Sequence, residues 1–378
     1  MNKERLIETF VELCKRDSES GNERKVADYI LDYLKKIDLN SSEDNAGEKT
    51  GGNTGNIIIK IPGSLPGKIL LSAHMDTVVP GKNVKPIVEM DRITSSGDTV
   101  LGADDKAGVA ILLEIIKQIK EEKIQTSEIL VVFSVSEETG LLGAKNVDNI
   151  TADYAYILDS SSKPGIIINE APVHFTYEGK IKGKSSHAGI APEKGINAIK
   201  IAGEVITKLP AGRIDFDTTA NIGLISGGSA TNIVPDEVII KGEIRSYNKE
   251  KAEKLLNETK NIFITITEKN LGVPDFSFSK EYDNFKINEE EYVIQLAKKA
   301  IEKSGLVPKV ESAGGGSDGN IYNQKGIPSV ILGMGYENIH TKNEFMRKED
   351  LFKVMEIVLN IVRGWNNEWK NFKRRINL

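Results

Sequence analysis

The sequence contains one cysteine, Cys14, among its 378 residues. A single thiol excludes an intramolecular disulfide and also excludes a zinc site built from clustered cysteines. Any bound metal ion must therefore be held by histidine, aspartate and glutamate side chains. The chain also lacks an apolar run near the roughly 20 residues of a membrane span, so no membrane partner is expected.

An excess of positive charge is missing as well. The formal net charge is −5 and the isoelectric point lies near 5.7, which argues against a general nucleic-acid or membrane-surface binder. Charges interrupt the segment 1–23 throughout, which is typical of an amphipathic helix rather than a signal peptide. We therefore expect a cytoplasmic protein with no nucleic acid and no membrane among its partners.

The length of the chain and its 39% hydrophobic content predict two domains with large cores. Residues 1–172 alternate helical patterns with nearly continuous apolar strands such as NIIIKI and EILVVFSVS, which predicts a largely parallel mixed α/β sheet with helices on both faces. Residues 173–285 follow a βαββαβ order instead, as expected for an inserted α+β domain of ferredoxin-like topology. The first pattern resumes over 286–378.

Local patterns add detail to this division. Ser20 and Glu23 at the start of the second helical pattern predict a capping box. The segment DDKAGVAILLEIIKQIKEE predicts a helix with one apolar face. That face consists of Val109, Leu112, Ile116 and Ile119. The stretch 40–56 is polar and is interpreted as a loop without assignable chemistry.

Acidic residues and a histidine occur where predicted strands end or a helix begins. His74 and Asp76 in LLSAHMD are two residues apart, so they point to the same side of a strand. Asp104 and Asp105 in GADDKAG lie beside glycines at a helix start, and Asp159 ends the strand YILDSSS. Because ligands of open α/β sheets bind outside the carboxyl ends of strands, these side chains should lie close together.

Two adjacent glutamates, Glu137 and Glu138, end the strand EILVVFSVS, and His340 follows the late strand VILGMG. Each feature alone has an ordinary explanation, because strand-end histidines are usually hydrogen-bonded at the surface, glutamate pairs are usually solvated and Asp104 can cap its helix. The combination favours a metal site. Two imidazoles and several carboxylates suit one or two divalent cations of the zinc, cobalt or manganese group, which would neutralise carboxylates that otherwise repel each other.

Five motifs, SAHMDTV, GADDKAG, SEETG, ILDSS and NIHTKNE, occur in this order and together resemble the dinuclear-zinc metallopeptidase family that includes peptidase T, aminoacylases, glutamate carboxypeptidases and desuccinylases. The resemblance extends over essentially the whole chain and is greatest to the peptidase T branch, and the inserted domain resembles that family's lid domain. It implies a metal-dependent aminopeptidase acting on short peptides such as tripeptides. The alternatives are a deacylase of N-acyl amino acids or a carboxypeptidase with the same metals, and a peptide-binding protein without catalysis.

The resemblance also implies a role for each residue of the expected site. One metal would be held by His74, Asp104 and Asp159, and the other by Asp104, Glu138 and His340, with Asp104 as the bridge. The two divalent ions would be zinc first, with cobalt or manganese as alternatives. Asp76 would orient the ring of His74, and Glu137 would be the general base that activates a metal-bridging water. Asp105 would follow the cis peptide bond that this family tends to have.

In the inserted domain, the resemblance implies substrate-binding residues. His187 would stabilise the oxyanion, while Asn232 and Arg245 would bind the carboxylate or backbone of a short peptide; the planar fork of arginine suits a carboxylate. A homodimer through the lid domain is expected in some relatives, with His187 acting within its own chain or from a second subunit. His174 is interpreted as structural. The glycine-rich stretch 313–320 lacks the Lys-Ser/Thr ending of a phosphate loop, so it is interpreted as a loop that lets the substrate backbone approach.

Overall fold

The computed structural model describes residues 2–364 of the chain. Its α-helices are α1 (Lys3–Cys14), α2 (Arg24–Lys36), α3 (Ala46–Thr50), α4 (Ala103–Glu122), α5 (Leu142–Asn146), α6 (Ala198–Ile206), α7 (Lys249–Lys269), α8 (Tyr292–Lys303), α9 (Asp318–Gln324) and α10 (Lys348–Gly364). None of the helices within this range has the length and apolar character needed to cross a membrane.

The strands are shorter and more numerous than the helices. They are β1 (Ser41–Glu43), β2 (Ile57–Ile61), β3 (Lys68–His74), β4 (Ile87–Val88), β5 (Arg92–Thr94), β6 (Glu128–Ser134), β7 (Tyr154–Ser160), β8 (Ile166–Ala171), β9 (Val173–Lys182), β10 (Gly212–Arg213), β11 (Thr218–Gly227), β12 (Glu237–Ser246), β13 (Val273–Tyr282), β14 (Phe285–Lys286), β15 (Lys309–Ser312), β16 (Ser329–Gly333) and β17 (Phe345–Arg347).

The chain divides into two compact units. Within the described residues, the first unit comprises 2–170, 286–313 and 317–364, and the second comprises 171–285 with 314–316. Residues 365–378, over which the helix–strand pattern of the first domain was predicted to continue, lie outside the described residues.

The first unit is built on a mixed sheet with strand order β1-β2-β6-β3-β7-β16-β8-β14, in which β15 also pairs with β8. Strands β6, β3, β7 and β16 run parallel, whereas β2 and β8 pair antiparallel with their neighbours β6 and β16. Leu71 and Ala73 of β3 join the core that contains α4, while Ser72 between them meets Tyr322 of α9. Adjacent strand residues face opposite ways, so helices cover both faces, and the predicted fold class of this unit is confirmed.

Helix α4 is buried on nearly every side, so the prediction of a single apolar face was too narrow. All of its residues from 103 to 116 are buried, because α4 packs against the sheet and also contacts α1 and α10. Even Glu114 is fully buried, and its Oε2 accepts a hydrogen bond of 2.6 Å from Nε of Arg5 on α1. A buried carboxylate needs such a partner, since leaving it unpaired costs about 3–5 kcal/mol.

The predicted capping box at α2 is wrong. The helix begins at Arg24, and the N-cap residue Glu23 makes no side-chain cap bond. Ser20 instead donates to Oδ2 of Asp76 at 2.7 Å, and Oε1 of Glu23 accepts from the backbone N–H of Ser136 at 3.0 Å. Ser20 therefore serves a contact that is distant in sequence, and Glu23 combines such a contact with a local hydrogen bond of 2.8 Å from the N–H of Gly21.

The polar stretch 40–56 is more ordered than the loop expected from its composition, since it contains β1 and α3. Polar side chains hold it to the sheet. Oδ1 of Asp44 accepts from the backbone N–H of Asn56 at 2.8 Å, and Oδ1 of Asn56 accepts from the N–H of Val135 at 3.0 Å. This stretch is ordered by hydrogen bonds from its polar side chains to the backbone and not by burial of apolar side chains. It therefore lacks the apolar pattern from which secondary structure is usually predicted.

The second unit is an antiparallel sheet with strand order β10-β11-β12-β9-β13, and helices α6 and α7 pack on it. Apart from the short β10, its chain order is β9-α6-β11-β12-α7-β13, a βαββαβ connection. Gly179 on β9 faces α7, where an added Cβ would lie 2.3 Å from the ring of Phe263. The helix packs this closely because that position has no side chain.

Candidate metal centre

The parallel strands of the first unit bring the predicted metal ligands to one edge of the sheet. His74 is the last residue of β3, and it pairs in register with Ser134, the last residue of β6. The adjacent glutamates follow β6 after an interval of two residues, and Asp159 lies near the end of β7, which is the other neighbour of β3. Asp104 lies in the first turn of α4.

Distances within this cluster are those of groups that can share a cation. Nε2 of His74 lies 3.1 Å from Oδ1 of Asp104 and 3.8 Å from Oδ1 of Asp159. Nε2 of His340 lies 3.2 Å from Oδ2 of Asp104 and 2.9 Å from Oε1 of Glu138. The two oxygens of Asp104 thus face different histidines, which is the arrangement expected of a bridging carboxylate.

Asp76 is fully buried and connects both parts of the centre. Its Oδ1 accepts from the backbone N–H of Glu137 at 2.9 Å, and its Oδ2 accepts from that of Glu138 at 3.1 Å. Burial acts to raise the pKa of Asp76, but the hydrogen bond and charge of His74 lower that pKa below its usual range. One carboxylate therefore fixes the peptide units of the glutamate pair next to the imidazole.

The ring of His74 is oriented for metal binding. Its Nδ1 donates to the backbone carbonyl of Asp76 at 3.0 Å. In the neutral ring, the lone pair is then on Nε2, the atom that faces Asp104 and Asp159. A second contact of the same nitrogen supports this orientation, since the carboxylate oxygen Oδ1 of Asp76 lies 3.3 Å from Nδ1.

A cis peptide bond joins Asp104 to Asp105. Asp105 is fully buried and points away from the cluster of ligands: its Oδ2 accepts from the N–H of His74 at 3.2 Å, and its Oδ1 accepts from that of Gly108 at 3.1 Å. A Cβ at Gly108 would lie 2.5 Å from Oδ1 of Asp105, so this position requires glycine. Asp105 therefore ties the start of α4 to the end of β3.

The donor set fits divalent cations. One ligand atom each of His74, Asp104 and Glu138 lie within 4.8 Å of one another, and the same holds for His74, Glu137 and Asp159. Burial, followed by the charge of Asp159, raises the pKa of Glu137 well above its ordinary value, because negative charges crowd a small volume. Cations held by imidazole nitrogen and carboxylate oxygen would remove that repulsion, and this mixture of ligands suits zinc, cobalt or manganese.

His340 differs from the other predicted ligands because its side chain is 46% exposed. It has a left-handed backbone conformation with φ of 60° and lies on the loop between β16 and β17. Hydrogen bonds with Asp104 and Glu138 raise the pKa of His340 to about 10. The exposed imidazole therefore closes the solvent side of the cluster.

The three predicted substrate-binding residues lie in the second unit. His187 and Asn232 are exposed and lie on adjoining loops, since the N–H of Ala188 donates to the carbonyl of Asn232 at 2.9 Å. Arg245 lies half-buried on β12, where its Nε and Nη2 donate to the two carboxylate oxygens of Glu243 at 3.2 and 3.1 Å. His187 and Asn232 are thus side by side, while Arg245 belongs to a network of its own.

That network includes the residue interpreted as structural. Nε2 of His174 lies 3.0 Å from Oε2 of Glu243, and Nη1 of Arg245 donates to the hydroxyl of Tyr282 at 3.3 Å and to the carbonyl of Gly314 at 3.5 Å. The hydrogen bond with His174, together with Arg245, lowers the pKa of Glu243 to about 2. The glycine-rich loop and the arginine are therefore in contact within the second unit.

Several side chains around the centre were not identified from the sequence. Tyr336 donates from its hydroxyl to Oδ1 of Asp159 at 3.3 Å. Asp318, at the start of α9, accepts from Ser134, and burial raises its pKa to about 6. Glu344 accepts from the backbone beside Asp104. Asp318 and Glu344 stand inside the motifs AGGGSDGN and NIHTKNE, but nothing in those letters shows which distant groups they contact.

Comparison with known proteins agrees with this geometry. A model of the peptidase family M20/M25/M40 matches residues 70–364. The uncharacterized protein YqjE of Bacillus subtilis is 44% identical over 365 residues, which cover 96% of this chain and 98% of that protein.

Two solved structures resemble the chain over nearly their full length. The crystal structure of a tripeptidase from Staphylococcus aureus has a TM-score of 0.92 at 40% identity and covers 97% of this chain and 99% of its own. That of aminopeptidase PepT from Bacillus cereus has a TM-score of 0.87 at 42% identity, with coverage of 96% and 98%. These matches confirm the family resemblance and the prediction of an enzyme: the chain belongs to peptidase family M20/M25/M40 and is a metallopeptidase.

Proposed function

We propose that the protein is an aminopeptidase that removes the N-terminal residue from short peptides, tripeptides in particular. The observation that carries this proposal is the grouping of Glu137 with His74 and Asp159, whose ligand atoms lie within 4.8 Å of one another. A carboxylate in that position can move a proton at the reaction centre. The names of the tripeptidase and the aminopeptidase that resemble the chain support the choice of substrate.

The ligand assignment follows the distances in the cluster. One cation would be held by His74, Asp104 and Asp159, and the other by Asp104, Glu138 and His340. When bound, divalent ions lower the pKa of water and polarise the scissile carbonyl. Zinc is proposed first because imidazole and carboxylate ligands suit it, and cobalt and manganese bind the same donors.

Glu137 is the proposed general base. Its carboxylate takes a proton from the attacking water and gives that proton to the leaving amine. Burial raises the pKa of Glu137, so this carboxylate is a stronger proton acceptor than an exposed glutamate. Asp76 holds the backbone of Glu137 and Glu138, so the two adjacent carboxylates keep separate tasks, proton transfer and metal binding.

His187 is the proposed donor to the oxyanion. Its Nδ1 accepts a hydrogen bond of 3.2 Å from the backbone N–H of Gly189. In the neutral ring, the hydrogen is therefore on Nε2, which can donate to the negatively charged oxygen of the tetrahedral intermediate. The side chain is exposed, so it is accessible to a substrate.

Arg245 and Asn232 are the proposed contacts for the carboxylate or backbone of the peptide. Glu243 occupies Nε and one N–H of Nη2, and Tyr282 and Gly314 accept from Nη1, so the second N–H of Nη2 is the donor left for a substrate carboxylate. A homodimer through the second unit and a cytoplasmic location stay predictions.

The test is mass-spectrometric product analysis with zinc-, cobalt- and manganese-reconstituted protein. The substrates are one tripeptide, its dipeptide counterpart, its N-acetylated form and its C-amidated form. Release of the N-terminal residue from the free tripeptide, with the acetylated form intact, is the expected result. Cleavage of acetyl groups or of C-terminal residues would instead identify a deacylase or a carboxypeptidase, and no cleavage of any substrate would favour a binding protein.

A further inference from the structure

The loop that carries His340 is mostly exposed and makes few contacts with the rest of the chain. Residues 337–343 are exposed apart from one that is partly buried. At its base, Glu337 and Phe345 exchange two backbone hydrogen bonds of 3.0 and 3.1 Å. Ile339 packs against the hydrophobic core, and Glu344, only 2% exposed, is the fully buried side chain at the end of this loop.

The carboxylate of Glu344 ends at the loop that carries Asp104. Its Oε2 accepts from the backbone N–H of Gly102 at 2.7 Å, and its Oε1 accepts from that of Asp104 at 3.0 Å. The two loops are 240 residues apart in sequence. One carboxylate therefore joins the segment of the proposed bridging ligand to the segment of the exposed histidine ligand.

A simple helix cap would not explain these two bonds. Gly102 precedes α4 and has a left-handed backbone with φ of 76°, and Asp104 is non-helical with φ of −79° and ψ of 101°. The N–H groups that Glu344 accepts therefore belong to the irregular backbone that aims the side chain of Asp104, not to a regular first helical turn. Groups that hold metal ligands in place commonly change metal affinity or activity about 10- to 100-fold when removed.

We propose that Glu344 is a positioning residue of the metal centre, which sets the separation of Asp104 and His340 and thereby the affinity for the cation that these two residues share. The inference rests on the proposed ligand assignment. Glu344 itself touches no ligand atom in this role; it acts through the backbone of Asp104 and through the course of its own loop.

The experiment compares Glu344→Gln, Glu344→Asp and Glu337→Gln with the wild-type chain. Zinc affinity is measured by competition with a chelator, and cobalt-loaded protein is titrated by visible absorption, so neither readout depends on turnover. Glutamine has one acceptor oxygen, and its NH₂ group would oppose the second N–H. We expect one of two cations to bind about 10- to 100-fold more weakly, with a changed cobalt spectrum.

The other variants separate positioning from charge. Aspartate keeps the charge but is one methylene shorter, so it should restore affinity only in part. Glu337 lies in the same loop, is exposed and pairs with Arg347 at 3.0 Å, so its neutralisation should leave affinity unchanged.

Three results would overturn the inference: wild-type affinity and spectrum in a folded Glu344→Gln protein, full restoration by aspartate, or equal losses in Glu344→Gln and Glu337→Gln. Circular dichroism and the thermal midpoint report folding. If the glutamine variant does not fold, Glu344→Asp tests the inference instead. Unchanged zinc affinity in that variant would show that the two hydrogen bonds from Gly102 and Asp104 are not required. A wild-type chain that binds no zinc or cobalt would refute the proposed metal centre itself and the inference with it.

Discussion

The two units hold their candidate functional residues in different ways. In the first unit, His74 and Asp76 are buried and hydrogen-bonded through their side chains, and the buried Glu137 is held through its backbone N–H. In the second unit, His187 and Asn232 are exposed on loops. The contrast indicates that the proposed general base and the buried proposed ligands are pre-organised, while His187 and Asn232, two of the proposed recognition residues, would gain contacts when a peptide binds.

This difference has a kinetic meaning. Removing a buried group should change metal binding or kcat, because its partners lose their geometry. Removing an exposed recognition group should change KM when it binds substrate and transition state equally. His187 combines features of both classes, because its side chain is exposed while its proposed contact is with the transition state.

The largest effect is expected from Glu137→Gln. Loss of a general base costs about 10²- to 10⁴-fold in kcat, and metal content should stay near that of the wild type because the proposed ligands remain. Glu138→Gln is the matched control, since the neighbouring residue is a proposed ligand and its variant should lose metal as well as activity. Metal analysis with steady-state kinetics distinguishes them. Full activity in Glu137→Gln would contradict the general-base assignment.

His187→Ala should lower kcat, as the removal of a buried group of the first unit should, although His187 is exposed. A donor to the oxyanion acts only in the transition state, so kcat should fall about 10²- to 10³-fold while zinc affinity is unchanged. Lys194→Ala, an exposed change further along the same segment, serves as the control. If His187→Ala raised KM alone, the residue would be a recognition group and the oxyanion role would be wrong.

Arg245→Ala should raise KM with little change in kcat, as expected for a residue that binds the substrate. A hydrogen-bonded ion pair with the substrate carboxylate is worth about 1.5–3 kcal/mol, which corresponds to an increase in KM of about 10- to 100-fold. Kinetics with a free tripeptide and with its C-amidated form supply the control. The variant should lose little against the amide, and an equal loss against both substrates would show that the carboxylate is not the partner.

The smallest effect concerns the stability of the network around Arg245. The pKa of Glu243 is about 2 in the folded chain, against an ordinary value of 4.5, so the folded state favours the ionised form. The unfolded chain takes up the proton first as the pH falls, and stability is lost between pH 4.5 and 2.

Glu243→Gln should reduce this loss by about 1 kcal/mol or less, because solvent screens a partly exposed pair. Urea unfolding of wild type and variant at pH 5 and pH 3 measures the difference. An identical pH dependence in both proteins would mean that the contact of Glu243 with His174 adds no stability.

Much of the cluster of candidate metal ligands was predictable because the positions of these residues follow from one rule of sheet geometry. His74, Asp159 and the adjacent glutamates each end a strand, and parallel neighbours end at the same edge. Asp76 was expected beside His74 from the resemblance, but the partners from elements distant in sequence were not predictable. Ser20 and Glu344 bond to groups 56 and 240 residues away, and a sequence pattern reports only local alternatives such as a helix cap.

The sequence pattern also underestimated the burial of charged side chains in α4. Lys106 and Glu114 interrupt the apolar pattern of α4, yet both are fully buried, because Lys106 donates to the carbonyl of Arg16 and Glu114 pairs with Arg5. Periodicity assigns such residues to the solvent side. Substrate preference could not be predicted for a related reason, since it depends on exposed side chains that leave no regular pattern in the sequence.

The order of the proposed ligands along the chain has a consequence for biosynthesis. Three of them and the bridging Asp104 precede the second unit, whereas His340 follows it, and the chain leaves the ribosome N-terminus first. The complete ligand set does not exist until 340 of the 378 residues have been joined. A polypeptide released before residue 340 therefore lacks one of the proposed ligands and could not form the complete proposed centre.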